Sequence, residues 1–375
     1  MKNKTICINC VMDTTDSKIV FDINGFCDHC VNFLHKTKKQ WEKLTPNKLK
    51  KITDNIKLSK KKSEFDCILG LSGGIDSSYL LHKIVSEYNL NPLVFHVDAG
   101  WNSQISSNNI QRLVEKLKLE LFTEVINWRE MKDLQISFFK SGVPHIDTPQ
   151  DHAFFATMYK FANKYGINYI LTGANLSTEC VRNPKEWMYY QSDNIQLIDI
   201  HKKFGNEKLS TFPLTSVLWH KVYLPYIKNI KVIKPLDYIE YNKKSAVDEL
   251  KNTYGWQPYP QKHFESRFTE FYEKYWLYER FGFDTRKVQL SSLILTNQIS
   301  RDEALEILKK KPYDENTIHL DIKFICDKLE ISEENFNVFF KGPKKNYKDY
   351  KNSSYIYEIG STVSKFLGLE LGGKR

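Results

Sequence analysis

The stretch Phe65 to Tyr79, FDCILGLSGGIDSSY, constrains this chain more than any other. Its first half, Cys67-Ile68-Leu69-Gly70-Leu71, is a short apolar run suited to a parallel strand buried on both faces. Ser72-Gly73-Gly74-Ile75-Asp76-Ser77-Ser78 then opens a helical pattern carried by Leu80, Leu81, Ile84 and Val85. A strand, a Gly-Gly turn and a helix start together make an anion site. The glycines let backbone N–H groups approach an oxyanion with no Cβ in the way, and the helix start adds unpaired donors and a favourable dipole. Ser72, Ser77 and Ser78 offer hydroxyl donors as well. No lysine follows the glycines, which excludes the Walker-type pattern GxxxxGK[ST]. The plain alternative is an ordinary βα turn.

Four of the seven cysteines lie in the first thirty residues, as Cys7-Ile8-Asn9-Cys10 and Cys27-Asp28-His29-Cys30, with sixteen residues between the pairs. That spacing fits a four-cysteine zinc site. Each CxxC knuckle offers two thiolates to one tetrahedral ion, and Gly25 suits the turn before the second knuckle. A segment this short has no core of its own, so a metal would supply most of its stability, about 10–16 kcal/mol. A closed shell of Cys7, Cys10, Cys27 and Cys30 points to a structural ion, with free thiols as the alternative. Lys18 to Asp22 reads as a short strand between the knuckles.

With 375 residues the chain can hold two or three domains. No apolar run reaches the length of about 18 residues that a spanning helix needs, and MKNKTIC lacks the apolar segment of a signal peptide. A cytoplasmic protein without a membrane partner is therefore expected. The net charge of +10 suits anionic ligands, but the lysines are spread along the chain rather than gathered, so nucleic acid is not the expected partner. The order of units reads as a four-cysteine module over 1–35, a basic helical linker over 36–62 and an α/β domain over 63–255. An aromatic-rich insertion interrupts that domain around 183–229, and a helical region follows over 256–375. Thr45-Pro46 starts the linker helix as cap and first residue. Further strands are expected at Leu93–Asp98, Phe122–Trp128, Asn168–Thr172 and Lys231–Leu236, with helices at Ile105–Leu119, Asp151–Tyr165 and Lys243–Tyr254. Such βα repetition predicts a doubly wound, mostly parallel sheet. The insertion, with Trp187, Tyr189, Tyr190, Trp219, Tyr223 and Tyr226, reads equally as a wall for a sugar pocket or as a helical insert with an aromatic core. Ser300-Arg301-Asp302-Glu303 is a capping-box helix start.

The loop Ser72–Ser78 resembles the SGGxDS pyrophosphate loop of the ATP-pyrophosphatase (PP-loop) superfamily, whose fold is of the adenine nucleotide alpha hydrolase-like type. The resemblance implies that Ser72, Gly73, Gly74, Asp76, Ser77 and Ser78 receive the pyrophosphate of ATP, with Asp76 also catalytic. Asp98 ends the second strand on the ligand side of an open sheet, where the superfamily holds adenosine; a cap for the next helix is the competing reading. Gly173-Ala174-Asn175 to Glu179 is similar to the superfamily's TG-x-N…E pattern. Gly173 and Asn175 would then border the phosphates, and Glu179 would hold Mg²⁺.

Later in the chain stand Lys262-His263-Phe264-Glu265-Ser266-Arg267-Phe268 and Phe281-Gly282-Phe283-Asp284-Thr285-Arg286-Lys287, then LSSLIL and ISRDEALEIL. Together with the CxxC pairs, SGGIDS and TGAN, these resemble the bacterial N-acetyl sugar amidotransferase family over most of residues 5–310. Thr285, where a lysine is expected, and the Gln257–Gln261 approach depart from the family pattern. Members make acetamidino sugars for O-antigen lipopolysaccharide, capsule or flagellar glycans. The resemblance implies that ATP adenylates the oxygen of an N-acetyl group and ammonia then displaces AMP. It implies catalytic parts for Lys262, His263, Glu265 and Lys287, with His263 or Glu265 taking a proton from ammonia, and sugar contacts through Arg267 and Arg286. Position 2 is lysine, and no cysteine sits in a glutaminase-like elbow. A separate glutaminase subunit is therefore the expected ammonia source, with room for a cyclase-like companion. The rival reading is a tRNA-thiolating PP-loop enzyme, for which Cys180 is the available sulfur carrier.

Overall fold

Cys67, Ile68 and Leu69 are wholly excluded from solvent, as the apolar run requires of a strand covered on both faces. They belong to β1 (Cys67–Gly70), the middle strand of a five-stranded sheet. The protein is described here by a computed structural model covering residues 5–59, 63–187 and 189–359; the remainder of the expected segments 1–35, 36–62, 183–229 and 256–375 lies outside the described residues. The other strands are β2 (Pro92–Asp98), β3 (Leu121–Val125), β4 (Tyr169–Leu171) and β5 (Lys231–Ile233). All pairings are parallel, in the order β3-β2-β1-β4-β5. The chain steps outward from β1 to β3, then returns to the opposite side for β4 and β5. Between β1 and β4 the winding reverses, which opens a crevice at their C-terminal ends.

Alternation along the strands sends side chains into two apolar layers. Ile68, Leu93 and Phe95 enter one layer, with Leu134 and Phe138 of the helix Trp128–Ser141 and Ala153 of the helix Thr148–Lys164. Cys67, Leu69, Val94 and Leu171 enter the other, under Leu80 of Ile75–Ser86, Leu113 of Gln104–Leu117 and Leu250 of Lys243–Tyr254. Each fully buried leucine contributes about 1.5–3 kcal/mol of transfer free energy, so the apolar alternation alone fixes which faces the helices cover. The doubly wound reading holds. Phe268, Phe271 and Trp276 join the first layer, and Phe139 meets Phe268 and Trp276 with ring centroids 5.9 and 4.9 Å apart.

Several boundaries differ from the expected ones. The third strand stops at Val125 because the Asn127 side chain caps the Arg129 N–H and starts the helix Trp128–Ser141, which the pattern alone did not predict. The fifth strand stops at Ile233, since Pro235 opens the 3₁₀ turn Pro235–Tyr238. Lys18 to Asp22 is no strand. Asp16 and Asp22 bind nearby backbone N–H groups as turns, leaving a single bridge between Phe21 and Cys27. The linker helix Pro46–Leu58 starts as read, with Thr45 accepting from Lys48 N–H, and Ser300 and Glu303 form the expected capping box. Among the described residues no helix is long and apolar enough to cross a membrane.

Candidate active site

The loop after β1 holds itself open with its own hydroxyls. Ser72 Oγ lies 3.1 Å from Ser77 Oγ and donates to Glu265 Oε1 at 3.2 Å, while Gly74 N–H points at Ser72 Oγ. Gly73 has φ +80°, and a Cβ there would meet Ser106 O at 2.8 Å, so glycine is required. Its carbonyl is pinned from outside by Trp256 Nε1 at 3.2 Å and Tyr259 OH at 3.3 Å. At the end of β4, a Cβ on Gly173 would lie 2.9 Å from the Asp76 carbonyl carbon and the Ser77 nitrogen. The two loops therefore touch backbone to backbone.

Around them is a cleft of about 350 Å³ lined by Ser72, Gly74, Asp76, Ser77, Gly173 and Glu179 from the sheet and by Lys262, His263 and Glu265 from the C-terminal region. Its charges are tightly organised. Lys262 Nζ lies 2.8 Å from Asp76 Oδ2 and 2.6 Å from Glu179 Oε1, and donates to Thr178 Oγ1 at 3.1 Å. Burial opposes the Asp76 charge, yet Lys262 beside it holds the carboxyl below its usual range. The same pairing, against burial, raises Lys262. Asp76 Oδ1 also accepts from Tyr241 OH and from Asn175 Nδ2.

His263 is a non-glycine residue at φ +69°, a costly conformation that the surrounding contacts must enforce. Its Nδ1 faces Glu273 Oε1 at 2.8 Å, and the ring is 44% exposed toward the cleft. Burial works against its charge, but Glu273 prevails and pushes the imidazole up to about 9. Behind this pair, burial pushes the Asp147 and Asp151 carboxyls upward.

Other expected residues stand elsewhere. Asn175 is buried and positions Asp76 rather than lining the cleft. Ser78 turns inward, its Oγ buried without a partner. Asp98 borders a neighbouring hollow of about 380 Å³ with His96 and Asn102, and its carboxylate accepts from Gly100 N–H at 2.7 Å. Lys287 is paired with Asp13 at 2.6 Å, against the cysteine knuckles. Arg286 forks onto Asp284 and binds the Ile307 and Lys310 carbonyls. Arg267 pairs with Asp321 at 3.2 Å and covers the Phe324 ring. These three cations are absent from the cleft lining: Lys287 and Arg267 are committed to carboxylates on other elements, and Arg286 to Asp284 just before its own helix. No described residue of 183–229 lines the cleft either: Trp187 stacks on Phe283, and Tyr189 stacks on His145. Sequence reasoning missed Tyr241, Thr178, Glu273, Tyr259 and Lys243. The Lys243 ammonium lines the cleft and makes no ion pair among the described residues, while burial lowers it. Its position at the start of the helix Lys243–Tyr254 was the available signal.

The four knuckle sulfurs converge. Cys7 and Cys30 Sγ lie 3.7 Å apart, and Cys10–Cys27 and Cys27–Cys30 are each 3.6 Å. A tetrahedral ion with metal–sulfur bonds of about 2.3 Å needs edges of about 3.8 Å, so the buried set fits a metal ion. Arg301 clamps it, donating to the Cys7 and Cys10 carbonyls at 2.8 and 3.1 Å.

Residues 265–364 match the family described as LPS biosynthesis protein WbpG-like, C-terminal domain. Uncharacterized protein MJ1599 of Methanocaldococcus jannaschii is 26% identical over 190 residues, 48% of this chain and 63% of that relative, so less than two thirds of its length is spanned. The NH3-dependent NAD synthetase of Campylobacter jejuni, at 14% identity, aligns over 81% of this chain and 98% of its own with a TM-score of 0.31. The U34-tRNA thiolase NcsA of Methanococcus maripaludis, solved with a [4Fe-4S] cluster, is 15% identical and covers 81% and 88% with a TM-score of 0.35. At such scores these two likenesses decide nothing about this chain. What stands is a loop sequence of the SGGxDS kind at the end of the middle strand of a parallel sheet, and a C-terminal region, residues 265–364, similar to the WbpG-like C-terminal domain of lipopolysaccharide-biosynthesis proteins.

Proposed function

We propose that the protein is an ATP-dependent, AMP-forming amidotransferase that converts the N-acetyl group of a bacterial surface-glycan sugar into an acetamidino group. The carrying observation is that Lys262, His263 and Glu265, all from the KHFESRF run, stand in one cleft with the SGGIDS loop. An amide oxygen is a poor leaving group until phosphorylated. In the proposed reaction that oxygen attacks the α-phosphorus of ATP, an O–P bond forms and pyrophosphate departs. Ammonia then attacks the imidate carbon, AMP leaves with the oxygen, and one proton is lost.

Negative charge grows on the phosphate oxygens in the first step. Backbone donors at the start of the helix Ile75–Ser86, the ammonium groups of Lys262 and Lys243 and the His263 imidazolium, all bordering the cleft, would receive it. Asp76 and Glu179 already converge on one cation, Lys262, so their oxygens fit a divalent ion as well. Magnesium bound there would neutralise phosphate charge. With His263 charged at neutral pH, Glu265 is the better acceptor for the proton of attacking ammonia. The knuckle sulfurs would hold a structural zinc ion. A separate glutaminase subunit would supply ammonia, with room for a cyclase-like companion.

The test is pyrophosphate release from ATP with ammonium chloride over a panel of N-acetylated sugars, read by mass spectrometry. A product with NH in place of O supports the reading. Turnover only with unmodified tRNA and a sulfur donor overturns it. Against that rival, burial pushes the Cys180 thiol up to about 12, where little thiolate exists to handle sulfur. Cys180→Ala is expected to keep full activity.

A further inference from the structure

The π-helical segment Trp219–Ile227 presents two unlike faces. Inward, Leu224 is fully buried and His220 meets the Tyr159 ring edge-on at 4.2 Å. Outward, Leu218, Val222 and Tyr226 repeat at intervals of four and are 56%, 50% and 77% exposed, with Ile227 at 68%. Trp219 and Tyr223 stack beside them at 6.3 Å, and Lys228 covers the Tyr223 ring at 5.7 Å. The apolar ridge continues to Val232 on the edge strand β5, between exposed Lys231 and Lys234. From Lys208 to Leu236 the chain contains no aspartate or glutamate. A monomer surface rarely leaves so many large apolar side chains together in water.

We propose that this ridge is a peripheral docking surface for an anionic lipid bilayer. Such a surface offers both halves of what the ridge lacks: an apolar depth for Leu218, Val222, Tyr226 and Ile227, and a dense negative layer for Lys228, Lys231 and Lys234. Indole and phenol rings suit the headgroup level, where one end is dry and the other wet. The absence of carboxylates across twenty-nine consecutive residues favours lipid over a protein partner of mixed charge. The sequence-based expectation of no membrane partner rests on the lack of a spanning segment, which a surface ridge does not need. The proposal is independent of the reaction in the cleft, since no residue of the ridge lines it.

The experiment is co-sedimentation of the full chain with vesicles of phosphatidylcholine, with and without a minority of phosphatidylglycerol. Binding is expected only with the anionic vesicles and should weaken with salt. Lys228→Gln and Lys231→Gln should each weaken it by about fivefold, and the double variant Tyr226→Ser/Ile227→Ser should abolish it with an unchanged melting temperature. Lys48→Gln/Lys51→Gln, on the exposed side of the linker helix, should leave it unchanged. Equal sedimentation with neutral and anionic vesicles, or no loss in the ridge variants, overturns the proposal. So does concentration-dependent dimerisation that the ridge variants remove, which would make a second copy the occupant.

Discussion

Lys262 is the residue on which the cleft turns, because its one ammonium bridges Asp76 and Glu179 across the seam between two strands. Replacing it with methionine keeps the bulk but leaves two carboxylates facing each other and the phosphates. Pyrophosphate release by Lys262→Met should fall by about a hundredfold or more, with the fold unchanged by circular dichroism. A variant of near wild-type rate would remove Lys262 from the chemistry. His263 yields a second expectation through pH. The groups facing it are Glu273, Lys262, Glu265, Asp147 and Asp151, and Glu273 dominates among them in holding the imidazole up to about 9. The folded value lies above that of a free histidine, about 6.5. The charged form therefore supports the folded site fully below about 6.5 and is lost as pH rises through about 9. ATP affinity should follow this profile. In Glu273→Gln the loss should begin well below that pH, giving weaker binding near pH 8 and little change near pH 6; superimposable profiles would show that the pair does not act on ATP.

The knuckle and the helix Arg286–Leu295 form a joint held by polar contacts as well as by packing. From the knuckle, buried Asp13 pairs with Lys287 and Val11 N–H donates to Ser291 Oγ at 3.2 Å; from outside it, Val181 N–H donates to Ser292 Oγ at 3.0 Å. Through that helix the knuckle supports the short turn Leu176–Glu179, which presents Thr178 and Glu179 to Lys262. Lys287 was expected in catalysis, and its position in this joint makes the opposite forecast. Lys287→Met leaves Asp13 charged and buried, which should cost about 3 kcal/mol of stability, seen as a lower midpoint in urea. Once folded at low temperature it should keep its turnover per active site. What the sequence disclosed and what it hid follow the same division. Sequence-local signals were legible: the apolar run of β1, the Gly-Gly turn, the CxxC spacing and the Thr45 and Ser300 caps. Long-range pairing was not: in FDTRK, Arg286 is held by Asp284 of the same run, while Lys287 finds Asp13 far away in sequence through packing. Tyr241 and Glu273 gave no motif at all; each acquires its role from a contact made across the fold.

The α/β domain and the helical C-terminal region share a core and the candidate cleft, so neither is expected to behave as a separable unit. Trp256 and Tyr259 lock onto the Gly73 carbonyl, Ser103 N–H donates to the Glu265 carbonyl at 2.9 Å, and Arg267 N–H donates to the Trp101 carbonyl at the same distance. Trp101 packs against Phe268 with ring centroids 4.9 Å apart, inside the apolar layer that also covers β1 and β2. Cutting the chain after Gly255 would open that layer and remove Lys262, His263 and Glu265 together. The whole chain should therefore unfold in one calorimetric transition whose van't Hoff and calorimetric enthalpies agree. The knuckle is clamped to the same helices by Arg301 and Lys287. Removal of a metal held by the four cysteines with a chelator should then lower that one transition rather than add a separate early one, because the free energy of metal binding is linked to the fold it stabilises. Two resolved transitions in the metal-loaded protein would show that the shared layer does not couple the parts. A chelator-sensitive early step with the main transition unmoved would show that the knuckle is a passenger on the α/β fold.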